Sequence, residues 1–413
     1  MKPTTDERGN SIHYTWADAM VAVVASRVKE DKYGKVTAEL KITTSAPGYA
    51  EHLHQALVNL SSTQTRASLA KHLSQVYEQA EWTSIIEQVA VYTTDWIRRG
   101  EPVIDLWGDD DAEPPEYLID PLIVKGYPNI IFGDPGTFKS AASVIVAAIL
   151  SLPWNDNPLI WPTPKEAHKV LYLDWETDWQ TVNWTFHRIR IGSGLQKFPL
   201  KYRRCFQPLA SDIETIMSWA DDCEADTLII DSLGLAAGDD DLNKSTPATN
   251  FYRSLRHMNR TSIILAHNSK DKESKQRSII GHQTFTAQAR NIWEIRKVQE
   301  TGEDSLDLGL FHRKAPPFAR FSQPLGIHVE FTDGSIKATP QEPRSVREFV
   351  AEMGIKAQIR ELLATEGALT EEDIVKHTDG NPSSVHTILY SMRKKGVIDR
   401  LPDKRWGLMA REM

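Results

Sequence analysis

The residues with the most chemical content are Gly133-Asp134-Pro135-Gly136-Thr137-Phe138-Lys139-Ser140. They follow an apolar run, Asn129-Ile130-Ile131-Phe132, and Ala141 opens a second that reaches Leu152. Strand, glycine-bearing turn and helix is the setting of a phosphate-binding loop. Backbone N–H groups in such a loop wrap phosphate at a helix N-terminus, where the peptide dipoles favour negative charge. Residues 133–141 are therefore the candidate cofactor-binding set, with ATP as the expected ligand. Lys139 would reach the β- and γ-phosphates and take part in the chemistry, and the Ser140 hydroxyl would ligate Mg²⁺. The pattern asks for glycine directly before the lysine, and this chain has Phe138. A side chain is tolerable there if the residue already has helical φ and ψ, since only positive φ demands glycine.

Two carboxylates extend the site. Asp231 ends the apolar run Thr227-Leu228-Ile229-Ile230, a place that suits a carboxylate beside Mg²⁺ and the loop serine. Glu176 closes Val170-Leu171-Tyr172-Leu173-Asp174-Trp175-Glu176. At the C-terminal end of a neighbouring strand it would face the γ-phosphate and orient or deprotonate the attacking water. The plainer alternative is a solvated residue in a strand-to-helix turn.

These residues need a sheet to hold them. From Asn129 onward strands alternate with helices, the mark of a mostly parallel sheet covered on both faces. Strands are expected at 169–175, 202–209, 227–230 and 262–266, with further ones at 292–298, 306–311 and 327–331. Residues 1–100 read as a mainly helical domain with one strand or hairpin. There Val36, Ala38, Leu40 and Ile42 alternate as in a strand, while Leu53, Ala56, Leu57 and Leu60 have helical spacing. Residues 101–117 read as an exposed linker, 118–340 as the core, and 341–413 as three helices and a hairpin, a winged helix. The expected fold class is α/β: a P-loop core flanked by a helical N-terminal domain and a C-terminal winged helix.

The 413 residues imply two or three domains, and the net charge of −8 excludes a globally basic nucleic-acid coat. Cys205 and Cys223 show no metal-ligand spacing and fit a reduced interior. The N-terminus is polar, and the apolar stretch after the loop is too short to span a bilayer. A soluble cytoplasmic protein with no membrane partner is expected.

Asp174-Trp175-Glu176 after the loop, then Ile229-Ile230-Asp231-Ser232, resembles the RecA-like ATPase core. The likeness is to the RepA/DnaB-type hexameric helicases and the AAA-family ATPases of phages and plasmids, over about residues 118–340. It implies Glu176 as catalytic base, Asp231 as the Walker B residue, ATP and Mg²⁺ as cofactors, and a homo-oligomer such as a hexamer. It also implies a polar sensor of the γ-phosphate where His267 and Asn268 stand, although both residues suit strand-end capping equally well. Loops such as 271–277 line the nucleic-acid channel of the relatives; Lys270, Lys272, Lys275 and Arg277 would contact phosphates there, or simply be solvated. Phe311-His312-Arg313-Lys314 resembles the place where hexameric members present cationic fingers to a neighbouring nucleotide. Arg313 or Lys314 would fill that role, with Arg290 a weaker candidate; such a cation is worth roughly 10³–10⁵ in rate.

In the C-terminal segment Ser383, Ser384, His386, Thr387 and Arg393 lie off the apolar face Val385, Ile388, Leu389 and Met392, as on a recognition helix. Between Arg393 and Arg405 six cations (Arg393, Lys394, Lys395, Arg400, Lys404, Arg405) face Asp399 and Asp403, a local +4. That reversal supports DNA contact, and protein docking is the other use of such modules. The expected function is a Mg-dependent ATPase coupled to DNA, a replicative-type helicase or related motor. The rivals are an ATP-switched loader or regulator that does not unwind, and a nucleotide-binding scaffold without catalysis.

Overall fold

The computed structural model describes residues 2–8, 11–100, 103–108, 110–238, 241–269, 278–350 and 353–409. Contacts divide the chain into two units, Met1–Glu113 with Asp212–Asp222, and Pro114–Ser211 with Cys223–Met413.

The first unit opens with β1 (Thr4–Arg8), β2 (Ser11–Trp16), β3 (Val21–Glu30), β4 (Val36–Thr44) and β5 (His52–Asn59), then α1 (Thr63–Val76) and α2 (Trp82–Arg99). The strands form one antiparallel sheet in sequence order. This corrects the expectation of a mainly helical domain. Leu53, Ala56 and Leu57 have helical spacing but lie in β5, which is paired to β4 from Thr37↔Asn59 to Thr43↔His52. Leu57 is consequently 67% exposed, because a two-residue period turns it away from the core. Non-local pairing outweighed the local pattern. Alternation in β2 to β4 sends Ile12, Tyr14, Trp16, Val23, Leu40 and Ile42 into one core with Leu73 of α1 and Trp82, Ile86 and Val89 of α2. Ser62 caps α1, its hydroxyl accepting from Thr65 N–H at 3.2 Å.

The second unit begins with a hairpin, β6 (Tyr117–Ile119) and β7 (Ile123–Val124), followed by β8 (Pro128–Gly133) and α3 (Lys139–Ser151). Next come β9 (Val170–Asp174), α4 (Trp179–Gly192), β10 (Lys201–Arg204) and α5 (Leu209–Asp222), whose last residues belong to the first unit. The chain continues through β11 (Thr227–Asp231), α6 (Leu233–Ala236), α7 (Ser245–Met258), β12 (Thr261–His267), α8 (Thr284–Gln288) and β13 (Asn291–Val298). Finally β14 (Ser305–Lys314), β15 (Leu325–Phe331) and β16 (Ile336–Gln341) close the sheet. The strand order is β10-β9-β11-β12-β8-β13-β14-β15-β16. Pairing is parallel from β10 to β13 and antiparallel beyond, a mixed and mostly parallel sheet. β9 and β11 are buried along their whole length, as strands covered on both faces should be.

A polar ladder crosses this core. Asn129 of β8 accepts from Val124 N–H at 2.8 Å and from Asn291 Nδ2 at 3.0 Å. Asn291 Oδ1 in turn accepts from His312 Nε2 at 3.0 Å. Each buried polar group is satisfied by the next strand, which pins the strands' register.

The C-terminal segment holds α9 (Arg347–Val350), α10 (Ile355–Thr365), α11 (Glu371–Lys376), α12 (Pro382–Lys394) and a hairpin of β17 (Ile398–Arg400) and β18 (Trp406–Leu408). Ile359, Leu363, Ile374, Leu389, Met392 and Trp406 form its core. Thr370 caps α11, and its hydroxyl donates to Asp373 Oδ2 at 2.6 Å. Asn381 caps α12, accepting from Ser384 N–H at 2.8 Å. Among the described residues no helix is long and apolar enough to cross a membrane.

Candidate nucleotide-binding site

β8 ends at Gly133 and α3 begins at Lys139, so residues 134–138 form the turn between strand and helix. Gly133 has no room for a side chain: a Cβ would lie 2.4 Å from the Ile295 carbonyl oxygen of β13. Gly136 has φ +75°, which glycine adopts without penalty. Phe138 does not have the helical backbone expected of it. Its φ is 65° and ψ 17°, the left-handed region that costs an L-residue about 1–2 kcal/mol. Its ring packs edge-on against Phe331 of β15, with centroids 5.7 Å apart at 84°. That contact ties the strained residue to the core.

Lys139 is buried, and its Nζ donates to Gly133 O at 3.0 Å, Asp134 O at 2.7 Å and Thr137 Oγ1 at 3.3 Å. Burial lowers its pKa, while Glu176, Asp231 and Asp134 oppose that shift. The ammonium therefore reaches back from the helix to the strand end of the loop, where Glu176, Asp231 and Asp134 favour its charge.

Asp231 and Asp174 are partners across β11 and β9, side by side where the strands end. Asp231 is buried and accepts from Tyr172 OH at 2.7 Å. Burial raises its pKa; the Tyr172 and Ser140 hydrogen bonds pull it back, and Glu176 and Asp174 raise it further. The expected metal pair is thus brought together, the Ser140 hydroxyl near enough to the Asp231 carboxylate to hold down its pKa. Glu176 has a side chain 41% exposed, with Oε1 3.6 Å from His267 Nε2. It is the open carboxylate of the group. Asp174 is fully buried and accepts from Glu176 N–H, Thr177 N–H, Thr177 Oγ1 and Tyr202 OH, each at 2.8 Å. Sequence reasoning gave Asp174, Tyr172 and Tyr202 no role; the available signal was the i, i+2 spacing of Tyr172 and Asp174, which puts both on one face.

Asn268 reaches the loop, its Nδ2 donating to Asp134 Oδ1 at 2.8 Å and its N–H to Gly133 O at 3.3 Å. Asn268 Oδ1 and His267 Nδ1 are buried without a hydrogen-bond partner among the described residues. Hard oxygen donors at Ser140 and Asp231, a glycine-lined turn and these orphaned polar atoms fit a Mg²⁺–nucleoside triphosphate.

Lys270, Lys272, Lys275 and Arg277 lie outside the described residues. Among the described residues on either side, Ser269 N–H donates to Ser278 O at 2.8 Å and Ile280 N–H to His267 O at 2.9 Å. Arg313 and Lys314 are not brought to the loop. Lys314 pairs with Ile292, which pairs with Ile130, so both cations lie near the end of β8 opposite the loop. Arg313 Nε donates to Glu294 Oε2 at 2.7 Å, and Arg296 Nε to the other oxygen at 2.8 Å; the Glu294 side chain is 1% exposed. Lys314 Nζ donates to the Thr286 and Ala287 carbonyls at the end of α8, at 2.9 and 2.8 Å. Within the chain both cations are engaged by structural partners. On α12 Thr387 is exposed and Ser384 half-buried, with Arg393 paired to Asp399 at 2.8 Å. Arg405 pairs with Asp403 at 2.6 Å, and Lys394 and Lys395 are exposed.

Residues 97–273 match the family model described as an AAA domain. No curated protein matches the chain. Among solved structures, a KaiC-like protein from the hyperthermophilic archaeon Pyrococcus horikoshii OT3 is similar at 15% identity and a TM-score of 0.38, covering 54% of this chain and 94% of its own. At that distance the likeness carries no argument about function. The AAA match and the loop together make the central segment a P-loop ATPase core.

Proposed function

We propose that the protein is a Mg-dependent ATPase whose turnover is coupled to DNA, acting as an oligomer. One observation supports catalysis above the others: the buried Asp231 carboxylate, held by Tyr172 at the strand end, lies near the Ser140 hydroxyl while Glu176 stays open to solvent. Lys139, bonded to loop carbonyls, would exchange them for phosphate oxygens. Loop N–H groups and the α3 dipole hold the phosphates. Glu176 accepts the proton of the attacking water, and His267 at 3.6 Å is placed to steady the carboxylate. Ser140 and Asp231 would hold Mg²⁺, which would supply neutralisation of charge on the phosphate oxygens. Lys139→Ala should cut Mg-ATP affinity at least 100-fold. Glu176→Gln should bind ATP with near-normal affinity and lose about 10²–10⁴ in turnover. Normal turnover by that variant would remove Glu176 from the mechanism.

The DNA reading rests on α12 and the cations after it, read as a winged helix, and on the lysines of the 270–277 sequence. Turnover measured with no polymer, single-stranded DNA, duplex DNA and RNA tests it, with stimulation by DNA that declines as salt rises. The engagement of Arg313 by Glu294 and of Lys314 by the α8 carbonyls supports a second reading. A motor of the ring type needs a cation for its neighbour, whereas an ATP-switched loader or regulator does not. ATP-dependent DNA binding without strand displacement on a forked duplex would select the second.

A further inference from the structure

Two stacked tyrosines connect the carboxylates of the site. Tyr172 and Tyr202 are partners across β9 and β10, with ring centroids 6.2 Å apart at 22°. One phenol donates to Asp231, the other to Asp174, each at 2.7–2.8 Å. Asp174 is a buried carboxylate whose two oxygens hold four donors, so no acceptor position is left for a proton in transit. Its Oδ1 takes the amide of Glu176 itself and that of Thr177, a side-chain-closed turn. Among the described residues Glu176 has no comparable anchor on its side chain, since His267 Nε2 stands 3.6 Å from its Oε1. The turn is therefore what fixes where that carboxylate starts.

We propose that Asp174 is a positioning residue for Glu176, and that the Tyr202 hydroxyl holds Asp174 in that role through the Tyr172–Tyr202 stack, which also carries Asp231. This rests on the reading of Glu176 as the base. The carboxylate that meets the metal and the one that meets the water are then set by one rigid pair of rings, and their separation is fixed before nucleotide enters.

Tyr202→Phe keeps the stacked ring and deletes only the donor to Asp174. Measured on the full chain, it should leave Mg-ATP affinity within about twofold of wild type and lower kcat at least tenfold. In a Glu176→Gln background, where the group being positioned is already disabled, the same substitution should lower the residual rate no further. Thr177→Val, which removes the other side-chain donor to Asp174 Oδ2, should repeat this pattern. Wild-type kcat in Tyr202→Phe would overturn the proposal. So would an equal loss in both backgrounds, the behaviour of a residue that only supports the fold. Failure of the wild-type chain to hydrolyse ATP would instead overturn the reading of Glu176.

Discussion

At Phe138 two contributions of similar size oppose each other. The left-handed backbone costs about 1–2 kcal/mol, and the ring contact with Phe331 contributes about 0.5–1.5 kcal/mol beyond the area it buries. Substitution separates them. Phe138→Ala keeps the backbone cost and loses the ring, so unfolding free energy should fall by about 2–3 kcal/mol. Phe138→Gly loses the ring and also the backbone cost, so its deficit should be about 1 kcal/mol smaller. Urea midpoints in the order wild type, glycine, alanine would check this; alanine above glycine would show that φ at this position carries no penalty. The same residue shows what a sequence leaves hidden. Lys139, Ser140, Asp231 and Glu176 were legible because each is marked by its own neighbours, a turn or the end of an apolar run. The left-handed φ of Phe138 was not, because no neighbouring residue type marks it, and its ring partner Phe331 lies on a strand distant in sequence. Asp174 and its tyrosines stayed unassigned for that reason too: their bonds join positions 28 and 59 apart.

Among elements, the strands of the core were readable because β9, β11 and β12 are apolar runs of strand length bounded by polar residues. The strands of the first unit were not. β5 borrows its conformation from β4, and its own leucines are spaced as a helix would space them. Register also sets the chemistry of β14. His312 stacks flat on Trp293, with centroids 4.3 Å apart at 2°. It accepts from Ser322 N–H at Nδ1, which places its proton on Nε2 facing Asn291. Burial lowers its pKa from 6.5 to about 4. The unfolded imidazole protonates as the pH falls below about 6.5, whereas the folded one resists until about 4. Its contribution is thus complete above about 6.5 and is lost progressively toward 4, at most about 3 kcal/mol. Denaturant titrations at pH 7.5, 5.5 and 4.5 should show the decline, and His312→Leu should flatten it from a lower starting stability. An unchanged slope in that variant would assign the decline to other groups.

For the whole molecule, the connection between the units is not the single one that the linker suggests. Residues 103–108 have no regular structure, and Val103 and Trp107 are 99% and 81% exposed. Leu106 and Trp107 are therefore the expected first cuts for chymotrypsin, at an exposed and extended backbone. A nick there severs the covalent path at one place. The first unit, however, includes Asp212–Asp222, carried on the chain of the second. Arg27 of β3 donates to Thr215 of α5 at 3.2 Å, across 188 positions of sequence. The helix at 212–222 was legible from its apolar spacing, but nothing local to it says which body it joins. If α5 is an integral part of the first unit, nicked protein should run as two bands on a denaturing gel yet elute as one particle at the original volume, with Mg-ATP affinity unchanged. Two separate native peaks would mean that the helix belongs with the ATPase core and that the linker alone joins the units.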